Sequence, residues 1–182
     1  MKLLIASDIH GDLNSLQSLL KIGLNEEGCD RILLLGDLLY HGPRNDLPKS
    51  YDPKGVISLL NEHADRILAV RGNCDSEVDQ MVLTFPILAD YAYLSLDGLS
   101  VLATHGHIFN TDNPPKLRPH EILLHGHTHI PTAEAFGNDN YYLNPGSVAI
   151  PKGGFSKSYM IYENRCFTVK DLNGKVILKK HF

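Results

Sequence analysis

The sequence predicts an α/β fold in a single domain spanning residues 1–182, on two observations. Short apolar runs that stop in polar clusters alternate with helix-spaced segments as far as Phe85-Pro86, the signature of a βαβαβ series. Beyond that point the chain breaks into short strand-like pieces punctuated by Gly, Asn and Pro.

Residues 2–7 (KLLIAS), 31–35 (RILLL) and 66–70 (RILAV) are mostly apolar and flanked by turn residues. Such runs suit strands buried on both faces, and hence a parallel arrangement. Between the first two, Leu13, Leu16, Leu19 and Leu20 recur at helical spacing after Asp12. Between the second and third, Val56, Ile57, Leu59 and Leu60 follow Asp52-Pro53, where Asp caps a helix and Pro suits its first position. In the second half, LSVLAT (99–104), EILLH (121–125), NYYLN (140–144) and SYMIY (158–162) are expected as mostly antiparallel strands. The closing segment CFTVKDLNGKVILKK places two alternating runs around Asn173-Gly174, a strong hairpin signal. The loop HGPRNDLPKSYDP (41–53) is long enough to suggest a functional role. No internal repeat or low-complexity tract interrupts this order.

Composition narrows the functional classes. With 43% hydrophobic and 21% charged residues the chain falls in the range of globular domains. No stretch approaches the ~20 apolar residues of a membrane span. MKLLIASD meets an acid before a signal-peptide core could form, so a cytoplasmic protein is expected. Cys29, Cys74 and Cys166 show no CxxC spacing, which argues against a disulfide framework or a structural zinc site. The net charge of -4 and the scattered Lys and Arg argue against long nucleic acid as a partner, yet leave room for a small anionic substrate.

Each predicted buried strand ends in polar residues: Asp8-Ile9-His10, then Gly36-Asp37, then Gly72-Asn73-Cys74-Asp75. The later segments add Thr104-His105-Gly106-His107 and Gly126-His127-Thr128-His129. In open α/β sheets the loops at the carboxyl ends of the strands converge on one crevice. Carboxylate, amide oxygen and imidazole together suit Mn, Fe, Zn, Ni or Co. At period two, His127 and His129 are expected to point the same way as a chelating pair, and His107 to share the face of His105. His125 has the parity of His127 but lies in an apolar run, where packing is the better reading. His41, Arg44 and Asn45 follow Asp37, either in a solvated turn or as a grip for phosphate, which Arg provides bidentately. Asn144-Pro145-Gly146-Ser147 reads as a turn that shapes the rim of the crevice.

The ordered blocks DxH, GD, GN, HxH and GHxH resemble the calcineurin-like metallophosphoesterases, and the strings HGPRN, RGNCD and NPGS are similar to the bacterial YfcE-type phosphodiesterases. The resemblance covers most of the chain. It implies two packed mixed β-sheets flanked by α-helices in a four-layer sandwich, and a hydrolase of phosphoric diesters. It further implies two divalent metal ions, Mn foremost with Fe, Ni, Zn or Co as alternatives, and a metal-bridging hydroxide in place of a protein nucleophile. On this likeness Asp8, His10 and His129 hold one ion, Asn73, His105 and His127 hold the other, and Asp37 bridges them. Asn73, Cys74 and Asp75 are candidates for phosphate contact or ligand support, and His41, Arg44 and His107 for substrate contact. The implied partner is a small phosphate ester, with no membrane and no long nucleic acid; a homo-oligomer is compatible with the same reading. A non-catalytic protein-binding scaffold on this fold, a phosphomonoesterase and a nuclease of the superfamily are the competing functions. The chain departs from many relatives at Cys74, where they carry a His thought to protonate the leaving oxygen.

Overall fold

A computed structural model describes residues 1–182. Eleven strands form two mixed sheets. The first has the order β11-β10-β9-β1-β2-β3, from β1 (Leu3–Ala6), β2 (Arg31–Leu34), β3 (Ile67–Ala69), β9 (Ser158–Glu163), β10 (Cys166–Asp171) and β11 (Val176–His181). The second has the order β4-β5-β6-β8-β7, from β4 (Tyr91–Leu96), β5 (Leu99–Thr104), β6 (Ile122–Leu124), β7 (Thr132–Phe136) and β8 (Asn140–Asn144). Helices α1 (Leu13–Leu20), α2 (Pro53–Asn61) and the single turn α3 (Glu77–Gln80) all lie in the first half of the chain.

Alternation along the strands assigns the faces. Leu3 and Ile5 of β1 and Leu33 of β2 join Val101, Ala103, Ile122, Leu124 and Leu143 in the apolar layer between the sheets. Leu4, Ala6, Ile32 and Leu34 point the other way, onto Leu16, Leu19 and Leu20 of α1 and Val56 and Leu60 of α2. Both helices begin as expected: the Asp12 carboxylate accepts from the Ser15 N–H, that of Asp52 accepts from the Gly55 N–H, and Pro53 opens α2. No helix is long and apolar enough to cross a membrane.

The β1-β2-β3 pairings are parallel, as the buried runs predict. The second half is mostly antiparallel, as expected, but its central strands depart from that pattern. β5, β6 and β8 pair parallel to one another, while β4 and β7 are antiparallel additions at the edges and β9 to β11 form an antiparallel meander against β1. The reason lies in the connections. A parallel pair needs a crossover of a dozen or more residues, and the punctuated segment between Thr104 and Ile122 supplies one.

This topology places the carboxyl ends of two parallel triplets, β1-β2-β3 and β5-β6-β8, at the same side of the sandwich. The loops that leave those ends carry the polar clusters of the sequence.

Candidate metal centre

The loop after β1 brings Asp8 and His10, that after β2 Asp37, and that after β3 Asn73; from the second sheet, the loop after β5 brings His105 and that after β6 brings His127 and His129. All seven residues meet. His129 Nε2 lies 3.2 Å and His10 Nε2 3.6 Å from Asp8 Oδ1. Asp37 Oδ2 is 3.7 Å from His10 Nε2 and 3.6 Å from His105 Nε2. His105 Nε2 is also 3.1 Å from Asn73 Oδ1 and 3.2 Å from His127 Nδ1. Asp8, His10, Asp37, His105 and His129 are all buried.

Backbone conformation, rather than strand alternation, aims these side chains. Asp8, His10, Asp37, His127 and His129 have φ of 59°, 48°, 56°, 63° and 62°, in the left-handed region that costs a non-glycine residue on the order of 1 kcal/mol. The period-two reading of His127 and His129 is thereby corrected: β6 ends at Leu124, and both residues sit in a loop of left-handed turns. Strain gathered at one point is typical of functional sites.

Close approach of the two sheets holds the loops in place. A Cβ at Gly126 would overlap the Ser7 side chain and press on Asp8, and one at Gly72 would overlap the Asp37 carboxylate. The Asp75 carboxylate accepts from the N–H groups of Asp37 (2.9 Å), Leu38 (2.9 Å) and Gly72 (2.7 Å), locking the second and third loops together. Burial keeps its pKa above the usual carboxylate value despite these donors. The NPGS turn does the same from the far side. Asn144 Nδ2 donates to the Gly126 carbonyl and to Thr128 Oγ1, and Ser147 Oγ donates to the Asp8 carbonyl at 2.9 Å.

The hydrogen bonds fix what faces the centre. The Nδ1 atoms of His10, His105 and His129 each meet a backbone carbonyl, of Tyr40, Leu35 and Ile150 respectively. A carbonyl only accepts, so Nδ1 carries the proton and the Nε2 lone pair turns inward. Asp8 Oδ1 and His10 Nε2 are buried without any hydrogen-bond partner. The result is a closed group of lone pairs, two carboxylates and three imidazoles, with few donors to satisfy them. Buried acceptors so arranged are unfavourable unless a proton or a cation lies among them. Three subsets converge closely enough to hold an ion: Asp8, His10 and His129; Asp8, Asp37 and His105; and His10, Asp37 and Cys74. The residues thus fit divalent cations by donor type and by unmet hydrogen-bonding demand.

Electrostatics follow from the same packing. Burial disfavours charge on Asp8, yet the facing His10 and His129 hold its pKa well below the usual value. Burial likewise opposes charging His10, but Asp8 pushes its pKa up. Burial and the neighbouring His105 bring His127 down to about 4 and also lower His107. Burial, reinforced by the charge of Asp37, drives the Cys74 thiol far above its ordinary range, so it remains protonated.

A crevice of about 430 Å³ opens onto the centre, lined by His10, Asp37, Asn73, Cys74, His127 and His129 together with Gly42, Pro43, Arg44, Asn45, Thr128 and Lys152. Arg44 therefore stands where a substrate contact was expected. His41 does not line the crevice; its ring sits 4.7 Å from that of Tyr40 and 5.4 Å from that of Tyr51. His107 does not line the crevice either; its ring lies 5.4 Å from that of His105 and 6.3 Å from that of His127. Thr128 and Lys152 are lining residues that the sequence reading passed over. Thr128 lay inside a motif read only for its histidines, and Lys152 follows Ile150-Pro151 with no pattern to mark it.

Residues 1–165 match the model of the calcineurin-like phosphoesterase superfamily domain. The chain belongs to that superfamily. It is 47% identical over 178 residues to phosphodiesterase YfcE of Escherichia coli K12, an alignment covering 98% of this chain and 96% of the relative. The solved structure of that E. coli phosphoesterase superposes with a TM-score of 0.95 at 45% identity, covering 99% of this chain and 98% of the other. The Vps29 protein of Entamoeba histolytica, whose structure was determined with Zn, shares the fold at a TM-score of 0.58 and 19% identity, covering 99% of this chain and 98% of that one. The two mixed sheets expected from the resemblance are thus the fold of the superfamily. The expected enzyme class, a hydrolase of phosphoric diesters, is the class named for the E. coli relative.

Proposed function

We propose that the chain is a metal-dependent phosphodiesterase working through two divalent cations, manganese foremost. The observation that carries this reading is the closed set of inward-facing acceptors at the meeting point of the five loops. Asp8, His10 and His129 would hold one cation, Asn73, His105 and His127 the other, with Asp37 between them. When bound, such a pair makes a water acidic enough to attack as hydroxide and offsets charge on the phosphoryl oxygens.

The chain's own residues do the rest. Asp75 and Ser147 fix the loops so that the ligands need no rearrangement when the ions enter. Arg44, exposed at the mouth of the crevice, presents a planar set of donors suited to phosphate oxygens. Cys74 contributes neither nucleophile nor ready acid, because its thiol is held neutral far above pH 7. A neutral thiol is a poor proton donor to an alkoxide, which favours esters whose leaving group departs without a proton.

The test strips the protein with chelator, reloads it with Mn, Fe, Ni or Zn, and assays a panel of mono- and diesters alongside metal content. Diester hydrolysis that returns with about two ions per chain supports the reading. An Asp37→Ala variant that keeps both ions and full rate would overturn the bridging assignment.

A further inference from the structure

This inference rests on the phosphodiesterase reading and concerns which esters the crevice takes. Two cationic side chains reach its mouth, Arg44 and Lys152, and they arrive on different loops. Both are exposed, and neither forms an ion pair. Gly42, two residues before Arg44, abuts Cys74: a Cβ at Gly42 would lie 3.3 Å from Sγ. Lys152 belongs to the opposite flank. Its N–H donates to the His129 carbonyl at 3.2 Å, two residues beyond the Ile150 carbonyl that receives His129 Nδ1. The two charges therefore approach from the Cys74 side and the His129 side of the centre. A single scissile phosphate occupies the space between and carries one negative charge as a diester, which the cations and one Arg suffice to meet. The second positive side chain is surplus to that requirement. The lining has one apolar residue and no Tyr, Phe or Trp, so it provides no stacking platform for a base or an aryl group.

We propose that Lys152 is a specificity-determining residue, facing an Arg44 that meets the scissile phosphate, and that the crevice selects phosphodiesters whose alcohol portion is small, polar and bears a second anionic group. A carboxylate and a phosphate share that chemistry. Lys152 acts by contact with this remote charge and takes no part in bond making.

The experiment compares three p-nitrophenyl diesters matched in size: the carboxymethyl, the phosphonomethyl and the neutral carbamoylmethyl ester. The metal-loaded protein should favour one or both charged esters over the neutral one by about fivefold or more in kcat/KM, the factor that ~1 kcal/mol of added interaction provides. The favoured ester identifies which anion is recognised. In Lys152→Gln the ratio of charged to neutral ester should fall towards one, and in Lys152→Arg it should be restored. Calorimetric Kd values for unreactive phosphonate counterparts of the same esters should show the same ratios in wild type and variants. If Lys152→Gln slows all three esters in equal proportion, Lys152 grips the scissile phosphate and the proposal fails; it fails equally if wild type shows no preference in either measurement. If no ester is hydrolysed by the loaded protein, the phosphodiesterase reading falls, while the Kd ratios still decide whether Lys152 recognises a second anion.

Discussion

Acid should destabilise this protein through His125, a ring that has no place to put a charge. It is 2% exposed, stacks on Tyr142 with centroids 4.3 Å apart, and is packed so closely by Gly106 that a Cβ there would strike Nδ1. Its Nε2 has no partner, and burial lowers its pKa from 6.5 to about 4. Between those two values the unfolded chain binds a proton at this position and the folded chain does not, so stability rises with pH across the window and is lost as pH falls from about 6.5 to about 4. At 1.36 kcal/mol per pH unit the whole effect is about 3 kcal/mol, of which about 2.5 kcal/mol is expressed by pH 4.5. The assay is urea denaturation of chelator-treated wild type and His125→Phe at pH 7.5 and 4.5. Phe keeps the stack and cannot titrate, and the Gly126 carbonyl that loses His125 still accepts from Asn144. The variant should lose about 2.5 kcal/mol less than wild type between the two pH values, whatever its stability at neutral pH. Equal losses in the two proteins would refute the assignment of a buried neutral ring.

Three further outcomes are expected. Bound metal, measured by elemental analysis after dialysis, should fall away below about pH 6, because the imidazoles must be neutral to coordinate and the raised pKa of His10 makes protons strong competitors there. Full loading at pH 4.5 would contradict the ligand set. With Cys74 held as a thiol, aryl diesters should be cleaved far faster than alkyl ones, and Cys74→Ala should alter aryl hydrolysis little; Cys74→His should raise alkyl hydrolysis within the 10²- to 10⁴-fold range typical of general acids. Gly126→Ala should cost about 3 kcal/mol, visible as a thermal midpoint lower by about 6 to 12 °C, because its Cβ meets Ser7 and Asp8 from the opposite sheet.

The sequence made the parallel triplet β1-β2-β3 legible because each strand is an uninterrupted apolar run closed by a polar cluster. The same logic identified the loops of the centre. Two edge strands escaped it. β7 (TAEAF) has no buried residue and so no amphipathic pattern to read. β4 did carry a signal: Asp97-Gly98, with φ of 49° and 80°, is the tight turn joining it to β5, and the alternation YAYLSL precedes it. The pairing of β5, β6 and β8 was hidden because parallel and antiparallel buried strands look alike in isolation; only the length of the crossover separates them. At the site, residue types were readable and their orientation was not. The turns of Asp8, His10 and His129 reverse the alternation that strand periodicity assumes, and the support that Ser147 gives Asp8 comes from more than 100 positions away in the chain.

The meeting of both sheets at one group of ligands also has a polymer consequence. Asp8 and His129 stand 3.2 Å apart in space and about 120 positions apart in the chain, so an ion shared by them acts as a clasp on a very long loop. Closing a loop of that length costs on the order of 4 kcal/mol of chain entropy, which folding of the core has already met before the ion arrives. Affinity for the ion and integrity of the apolar layer are therefore linked: whatever loosens the contact between the sheets weakens ion binding, even with every ligand in place. A selection for tighter metal binding in this protein should return substitutions at buried apolar positions such as Ile5, Ala103 and Leu124 as readily as changes beside the ions themselves.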